Sequence, residues 1–227
     1  MKAPSSVSEA TASDVAIRCI SCRLNLRYCI CNDINPLQTR TRVSIVIHSR
    51  EFSKSINTGH LTMRCLKNSE VLLLGRMGST REDALPELLP GYHPVLLFPD
   101  GIPIEQIAAK ATSPIQLIVP DGSWRQGRKM AAFLGSNLGI SRASLPLFES
   151  NVYSRIRATK GGGSSTLGAI ASALGVLEGV ETEQILRRVL EVFVSRVVAS
   201  RCFHESARII HEPAHQREED TESFAEN

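Results

Sequence analysis

The segment Ile115-Gln116-Leu117-Ile118-Val119-Pro120-Asp121-Gly122-Ser123-Trp124-Arg125-Gln126-Gly127-Arg128-Lys129-Met130 changes character at its centre. Ile115 to Val119 has the length and β-branched content of a buried strand. The chain then turns through Asp-Gly-Ser and enters a basic helix opened by its single tryptophan. Such a junction sets a carboxylate, a pliable turn and unpaired backbone N–H groups at the carboxyl edge of a sheet, where open α/β sheets hold ligands.

On either side of it the same rhythm repeats. Arg42 to His48, Val71 to Arg76 and Val95 to Phe98 read as strands, the last closed by Pro99-Asp100-Gly101, and a shorter strand is expected around Ser144 to Phe148. Helices are expected over Asn57 to Lys67, near Ile104 to Lys110, after Trp124, from Leu167 through Leu177, and near Thr182 to Val198. In the last of these Ile185, Leu186, Val189, Leu190, Phe193 and Val197 form one apolar stripe, which suits core. The expectation is an α/β fold, a mostly parallel sheet covered by helices.

At 227 residues and 42% hydrophobic content the chain can bury one substantial core. Residues 37–211 are read as the main domain, residues 17–36 as a small cysteine-bearing element, and residues 1–16, rich in Ser, Ala and Thr, as a disordered start. Residues 212–227 form an acidic tail of net charge −5, expected to be disordered, which leaves +8 for residues 1–211. A basic body suits a polyanionic partner, although scattered basic residues also serve as a solvated surface. With no apolar run of membrane-spanning length and no secretory signal pattern, the expectation is a soluble, cytoplasmic protein that contacts no membrane.

Four cysteines crowd the start as Cys19-Ile20-Ser21-Cys22 and Cys29-Ile30-Cys31. Two close thiolate pairs joined by a short loop can give tetrahedral sulfur coordination, so a structural zinc is read here in preference to disulfides or a redox pair. Arg18, Arg23 and Arg27 surround these thiolates, and either the charge of the metal site or RNA would suit them. Cys65, in a helix, and Cys202, after one, are read as ordinary small apolar residues without a role. Further along, Tyr153, Arg155 and Arg157 precede a loop, Gly161-Gly162-Gly163-Ser164-Ser165-Thr166, that opens a helix and offers donors at its N-terminus.

The four-cysteine set, His48 through Glu51, Asn57-Thr58-Gly59, Leu97-Phe98-Pro99, Asp121-Gly122-Ser123-Trp124-Arg125-Gln126, Tyr153-Ser154-Arg155-Ile156-Arg157 and Ser165-Thr166-Leu167 together resemble the DTW-domain family. The likeness runs in order from about Cys19 to about Val198. The family comprises tRNA-uridine aminocarboxypropyltransferases related to the knotted SPOUT methyltransferases. The resemblance implies a SPOUT-like sheet with a C-terminal knot. It also implies transfer of the 3-amino-3-carboxypropyl group of S-adenosylmethionine to N3 of a uridine in tRNA, with methylthioadenosine released.

Under that reading Asp121 is the candidate general base, since uracil N3 must lose a weakly acidic proton. Asp100 is its rival, and capping of the following helix is the other use of an Asp-Gly aspartate. Ser123 would hold Asp121 or cap the helix, and Trp124 would stack on a base or anchor the helix. Phe98, Pro99, Asp100, Gly122, Ser165, Thr166 and Leu167 would cradle the cofactor. Arg125, Arg128, Lys129, Tyr153, Arg155 and Arg157 would meet RNA. The chain departs from the family pattern at Ser123, where Thr is usual, and at Gly168, where the pattern has Glu. The second departure keeps open a zinc-containing RNA-binding protein of the same fold with weak or no activity; an S-adenosylmethionine-dependent RNA methyltransferase, with a different carbon of the cofactor facing the acceptor, is a further alternative.

Overall fold

The computed structural model describes residues 17–146, 156 and 165–211. In it, five parallel strands form one sheet in the order β2-β1-β4-β3-β5. They are β1 (Arg42–His48), β2 (Ser69–Leu74), β3 (His93–Pro103), β4 (Ile115–Asp121) and β5 (Ser141–Ser144). The helices are α1 (Ser49–Phe52), α2 (Gly59–Cys65), α3 (Ile104–Lys110), α4 (Trp124–Leu138), α5 (Thr166–Glu178) and α6 (Val180–His211).

The central strands are buried on both faces, so they read as continuous apolar runs. Alternation sorts their side chains. Val43, Ile45 and Ile47 of β1, with Leu117 and Val119 of β4 and Val95 and Leu97 of β3, pack with α2, α3, α5 and α6. Val46, Ile118 and Leu96 face the other way, onto Met130, Ala131 and Leu134 of α4. By the same alternation Asp121, at an odd position of β4, belongs to the α2 and α5 side.

The chain leaves β1 toward β2 on one side and leaves β4, through α4, toward β5 on the other. Since β1 and β4 are neighbours in register, with Ile47 opposite Asp121, their carboxyl ends flank a topological switch point.

Several elements differ from the sequence expectation. β3 does not close at Pro99-Asp100-Gly101. It pairs with β5 through Leu97, resumes at Ile102 after a register shift, and so carries residues 98–101 as a bulge. Gly101 is required there, because a Cβ would be driven into the backbone of Arg142 and Ala143. The fifth strand falls at Ser141–Ser144, earlier than Ser144 to Phe148, and residues 147 and 148 lie outside the described residues. α6 is much longer than Thr182 to Val198 and contains Cys202, which is exposed. Of its expected stripe, Leu186, Val189, Leu190, Phe193 and Val197 are buried, while Ile185 is exposed.

The cysteine-bearing element is not merely appended. Cys22, Leu24, Ile30 and Ile34 join the core on the α2 and α5 side, and Leu37 bridges to Leu66 at the end of α2. The expected knot would involve the stretch between β5 and α5, most of which lies outside the described residues, as do the terminal segments 1–16 and 212–227. Among the described residues no helix is long and apolar enough to cross a membrane.

Candidate functional site

Asp121 lies at the end of β4 and is 7% exposed. Its Oδ2 accepts a hydrogen bond from Asn57 Nδ2 at 2.5 Å, and its Oδ1 accepts one from Thr166 Oγ1 at 2.6 Å. The donors come from the segment after β1 and from the start of α5, so the carboxylate ties together both walls of the switch-point crevice. Beneath it sits Gly59. A Cβ at that position would be driven into Asp121 Oδ2 and would stand 3.1 Å from Ile47 Cδ1, so only glycine lets the carboxylate lie flat on α2.

Asn57 is itself held. Its Oδ1 accepts from the His60 backbone N–H at 3.0 Å and lies 3.4 Å from His60 Nδ1. The other ring nitrogen, Nε2, lies 3.4 Å from the Cys22 carbonyl. Burial first, and the Arg23 charge second, hold the His60 imidazole down at about 4, so it is neutral at physiological pH. Leu167 N donates to Thr58 Oγ1 at 3.3 Å, which adds a further tie between α5 and the β1 to α2 segment.

Helix capping falls to other residues than Asp121. Ser123 Oγ accepts from Gln126 N, and Gln126 Oε1 accepts from Ser123 N at 2.7 Å, a reciprocal capping box for α4. Gly122 leaves room for it, since a Cβ there would stand 2.9 Å from Gln126 Cβ. Ser165 caps α5 through its Oγ, which accepts from Gly168 N at 3.1 Å. Leu167 is wholly buried in the core, and Gly168, where the family pattern has Glu, is buried in the first turn of α5. Of the expected cradle, Thr166 touches Asp121 by a hydrogen bond.

On the opposite face, Trp124 starts α4 and is 64% exposed. Its ring stacks on Phe98, with centroids 5.8 Å apart and planes 19° from parallel. Arg125, Arg128 and Lys129 are exposed on the same side of the helix. Pro99 is exposed in the β3 bulge, and Asp100 pairs with Arg142 Nη1 at 2.6 Å, which directs the rival carboxylate to the edge strand. Tyr153, Arg155, Arg157 and the glycines of the loop before α5 lie outside the described residues.

The four cysteines meet. Cys19 and Cys31 Sγ are 3.6 Å apart, Cys22 and Cys29 Sγ are 3.7 Å apart, and all four sulfurs lie within 4.8 Å of one another. Four sulfurs held about 2.3 Å from a zinc would be separated by about 3.8 Å, so the set fits a closed tetrahedral zinc site. The Cys22 backbone N–H holds the Cys19 thiol down at about 6, and burial pushes Cys31 up to about 12. Metal binding would deprotonate the whole set. Cys65, buried in α2, is pushed up to about 12 by burial and is inert.

Sequence reasoning noted Asn57-Thr58-Gly59 as a likeness but gave these residues no place in the site, and it passed over His60. The clue available was a hydrogen-bonding pair and a glycine at the start of a helix, between the first and second strands. No solved structure matches the chain. The sequence model described as the DTW domain matches residues 16–198.

Proposed function

The chain belongs to the DTW-domain family, whose membership supports a role in tRNA modification, and on that premise we propose that it transfers an aminocarboxypropyl group from S-adenosylmethionine to N3 of a tRNA uridine. The observation that carries this reading is the buried Asp121 carboxylate, clamped by Asn57 and Thr166 at the switch point between β1 and β4. S-adenosylmethionine would supply a sulfonium that makes its γ-carbon electrophilic.

The chain's residues set the rest. In that reaction N3 would take the γ-carbon as the carbon–sulfur bond breaks, the bonding pair would leave on sulfur as methylthioadenosine, and Asp121 would take the N3 proton and pass it to water. N3 becomes strongly acidic as its new bond to carbon forms, so Asp121 takes the proton during bond formation rather than before it. Thr166 and Asn57 hold the carboxylate oriented throughout. Trp124, stacked on Phe98, offers an exposed π-face to a base, while Arg125, Arg128 and Lys129 meet phosphate. Cys19, Cys22, Cys29 and Cys31 would hold a structural zinc, which leaves no open position for chemistry.

The test is incubation of zinc-loaded protein with S-adenosylmethionine and a full pool of unmodified tRNA, followed by nucleoside mass analysis and elemental analysis. Aminocarboxypropyl-uridine, methylthioadenosine and about one zinc per chain are expected. Methylated uridine would redirect the reading to a methyltransferase. The absence of a carboxylate at Gly168 favours a second reading, a same-fold RNA-binding protein, and tRNA binding with neither product would establish it.

A further inference from the structure

The sequence leaves open whether the arginines around the cysteines answer the metal site or RNA, and the structure sets two of them, Arg18 and Arg23, in one cleft that Cys19 also lines. A cleft of about 510 Å³ lies between the cysteine element and the segment after β1, lined by Arg18, Cys19, Ile20, Arg23, Ser53 and Ser55. Arg23 adopts a left-handed backbone, φ 63°, the one non-glycine residue to do so among those described. Its guanidinium lies 3.9 Å from the centroid of the Phe52 ring and donates to the Phe52 carbonyl. Its side chain is thus braced on the segment after β1. Arg18 Nη1 donates to the Arg23 carbonyl at 3.2 Å, which brings the second cation to the same cleft.

Neither arginine pairs with a carboxylate among the described residues. Two guanidinium groups gathered in one cleft without a carboxylate repel one another. A braced planar fork beside a second guanidinium and two serine hydroxyls is the donor set that recognises phosphate oxygens. At the rim Ile20 is 96% exposed, an apolar face beside the charge. Arg23 also acts on His60 through its charge, and His60 leads through Asn57 to Asp121. The side chains of His60 and Asn57 therefore connect the neighbourhood of the cleft to the crevice.

We propose that this cleft is a phosphate subsite for the RNA backbone, holding a phosphate of the strand whose uridine enters the Asp121 crevice. It deepens the tRNA reading and rests on it. The subsite lies on the α2 and α5 side of the sheet, so together with Trp124 and the cations of α4 it lets RNA pass across the carboxyl edge rather than along one face.

The experiment measures binding of an unmodified tRNA transcript to full-length, zinc-loaded protein across a range of salt concentrations. Wild type is compared with Arg18→Gln, Arg23→Gln, the double variant, Arg23→Lys and Ser55→Asp. The double variant should bind about tenfold more weakly, as expected for removal of charged hydrogen bonds, with zinc content unchanged and the melting temperature lowered only by loss of the Phe52 brace, a loss that Ser55→Asp does not share. Its slope of log affinity against log salt should be shallower by roughly one for each phosphate that is no longer neutralised. Ser55→Asp should weaken binding while leaving both arginines in place, and Arg23→Lys should fall between wild type and Arg23→Gln. Unchanged affinity and slope in the double variant and in Ser55→Asp, with wild type binding normally, would overturn the cleft alone. Loss of zinc with tRNA binding retained would overturn it by assigning the arginines to the thiolates. Failure of the wild type to bind tRNA would overturn the tRNA reading and the subsite together.

Discussion

Asp121 and Trp124 close the same strand-to-helix junction, yet one is 7% and the other 64% exposed. Asp121 turns toward α2 and α5, where Asn57, Thr166 and Gly59 leave it one position. Trp124 turns to the opposite face and touches Phe98 across an open stack. A side chain that must hold a geometry is enclosed by groups from distant parts of the chain, whereas one that must receive a partner is supported from behind and left open in front. The crevice should therefore lose fold and chemistry together when altered, and the platform should lose binding alone.

The hardest blow to the crevice is Asp121→Asn. Removing the general base should cut kcat by about a thousandfold. It should not be silent in stability. Both carboxylate oxygens accept hydrogen bonds; an amide can keep its oxygen toward Asn57 Nδ2 and turn its NH2 to Thr166 Oγ1, a hydroxyl that can also accept, so the loss is the charge on two hydrogen bonds, about 1 kcal/mol. Single-turnover rates and urea unfolding measure the two effects. Retained turnover would move the base elsewhere, first to Asp100, despite its pairing with Arg142.

Gly59→Ala attacks the same point without touching an ionisable group. The added methyl must displace the Asp121 carboxylate or Ile47, and overpacking of this kind costs about 3 kcal/mol. Turnover should fall with stability, as Asp121 is pushed off its hydrogen bonds. A variant with unchanged melting temperature and rate would mean that the crevice is looser than the contact geometry requires.

These two residues also mark where the sequence was legible and where it was not. Ile115 to Val119 announced its strand because buried parallel strands are continuous apolar runs, and Arg42 to His48 and Ile104 to Lys110 kept their expected bounds. Ser123 was open to reading as a cap, and Gln126 completes its box. Asn57 and Gly59, in contrast, act on a carboxylate far along the chain, a relation carried by topology and by no local period. β5 was misplaced because Ser141-Arg142-Ala143-Ser144 is a short edge strand with little apolar content. The Pro99-Asp100-Gly101 turn looked like a strand end because a bulge uses the same residues as a terminus.

His60 gives the crevice a pH dependence. Burial and Arg23 lower its imidazole from 6.5 to about 4, so between those values the unfolded chain binds the proton more readily than the folded one. This part of the stability is fully present above about 6.5 and declines as pH falls toward 4, by about 2 kcal/mol between pH 7 and pH 5. His60→Gln remains neutral and should lack that decline. Comparing urea unfolding of the two zinc-loaded proteins at pH 7 and pH 5 isolates it, since both carry the same thiolates. Parallel pH profiles would remove His60 from the crevice's acid sensitivity.

Trp124→Ala is the mildest expected change and the sharpest test of the contrast. An indole left mostly in water contributes little to the core, and α4 keeps its Ser123 and Gln126 cap, so the melting temperature should hold nearly constant. If its outer face receives a base, losing the stack should weaken tRNA binding by about tenfold. The rate at saturating tRNA should stay close to wild type, because Asp121 and its partners lie on the other side of the sheet. A fall in rate at saturation without a change in binding would place Trp124 with the chemistry, and the two faces of the junction would then form one site.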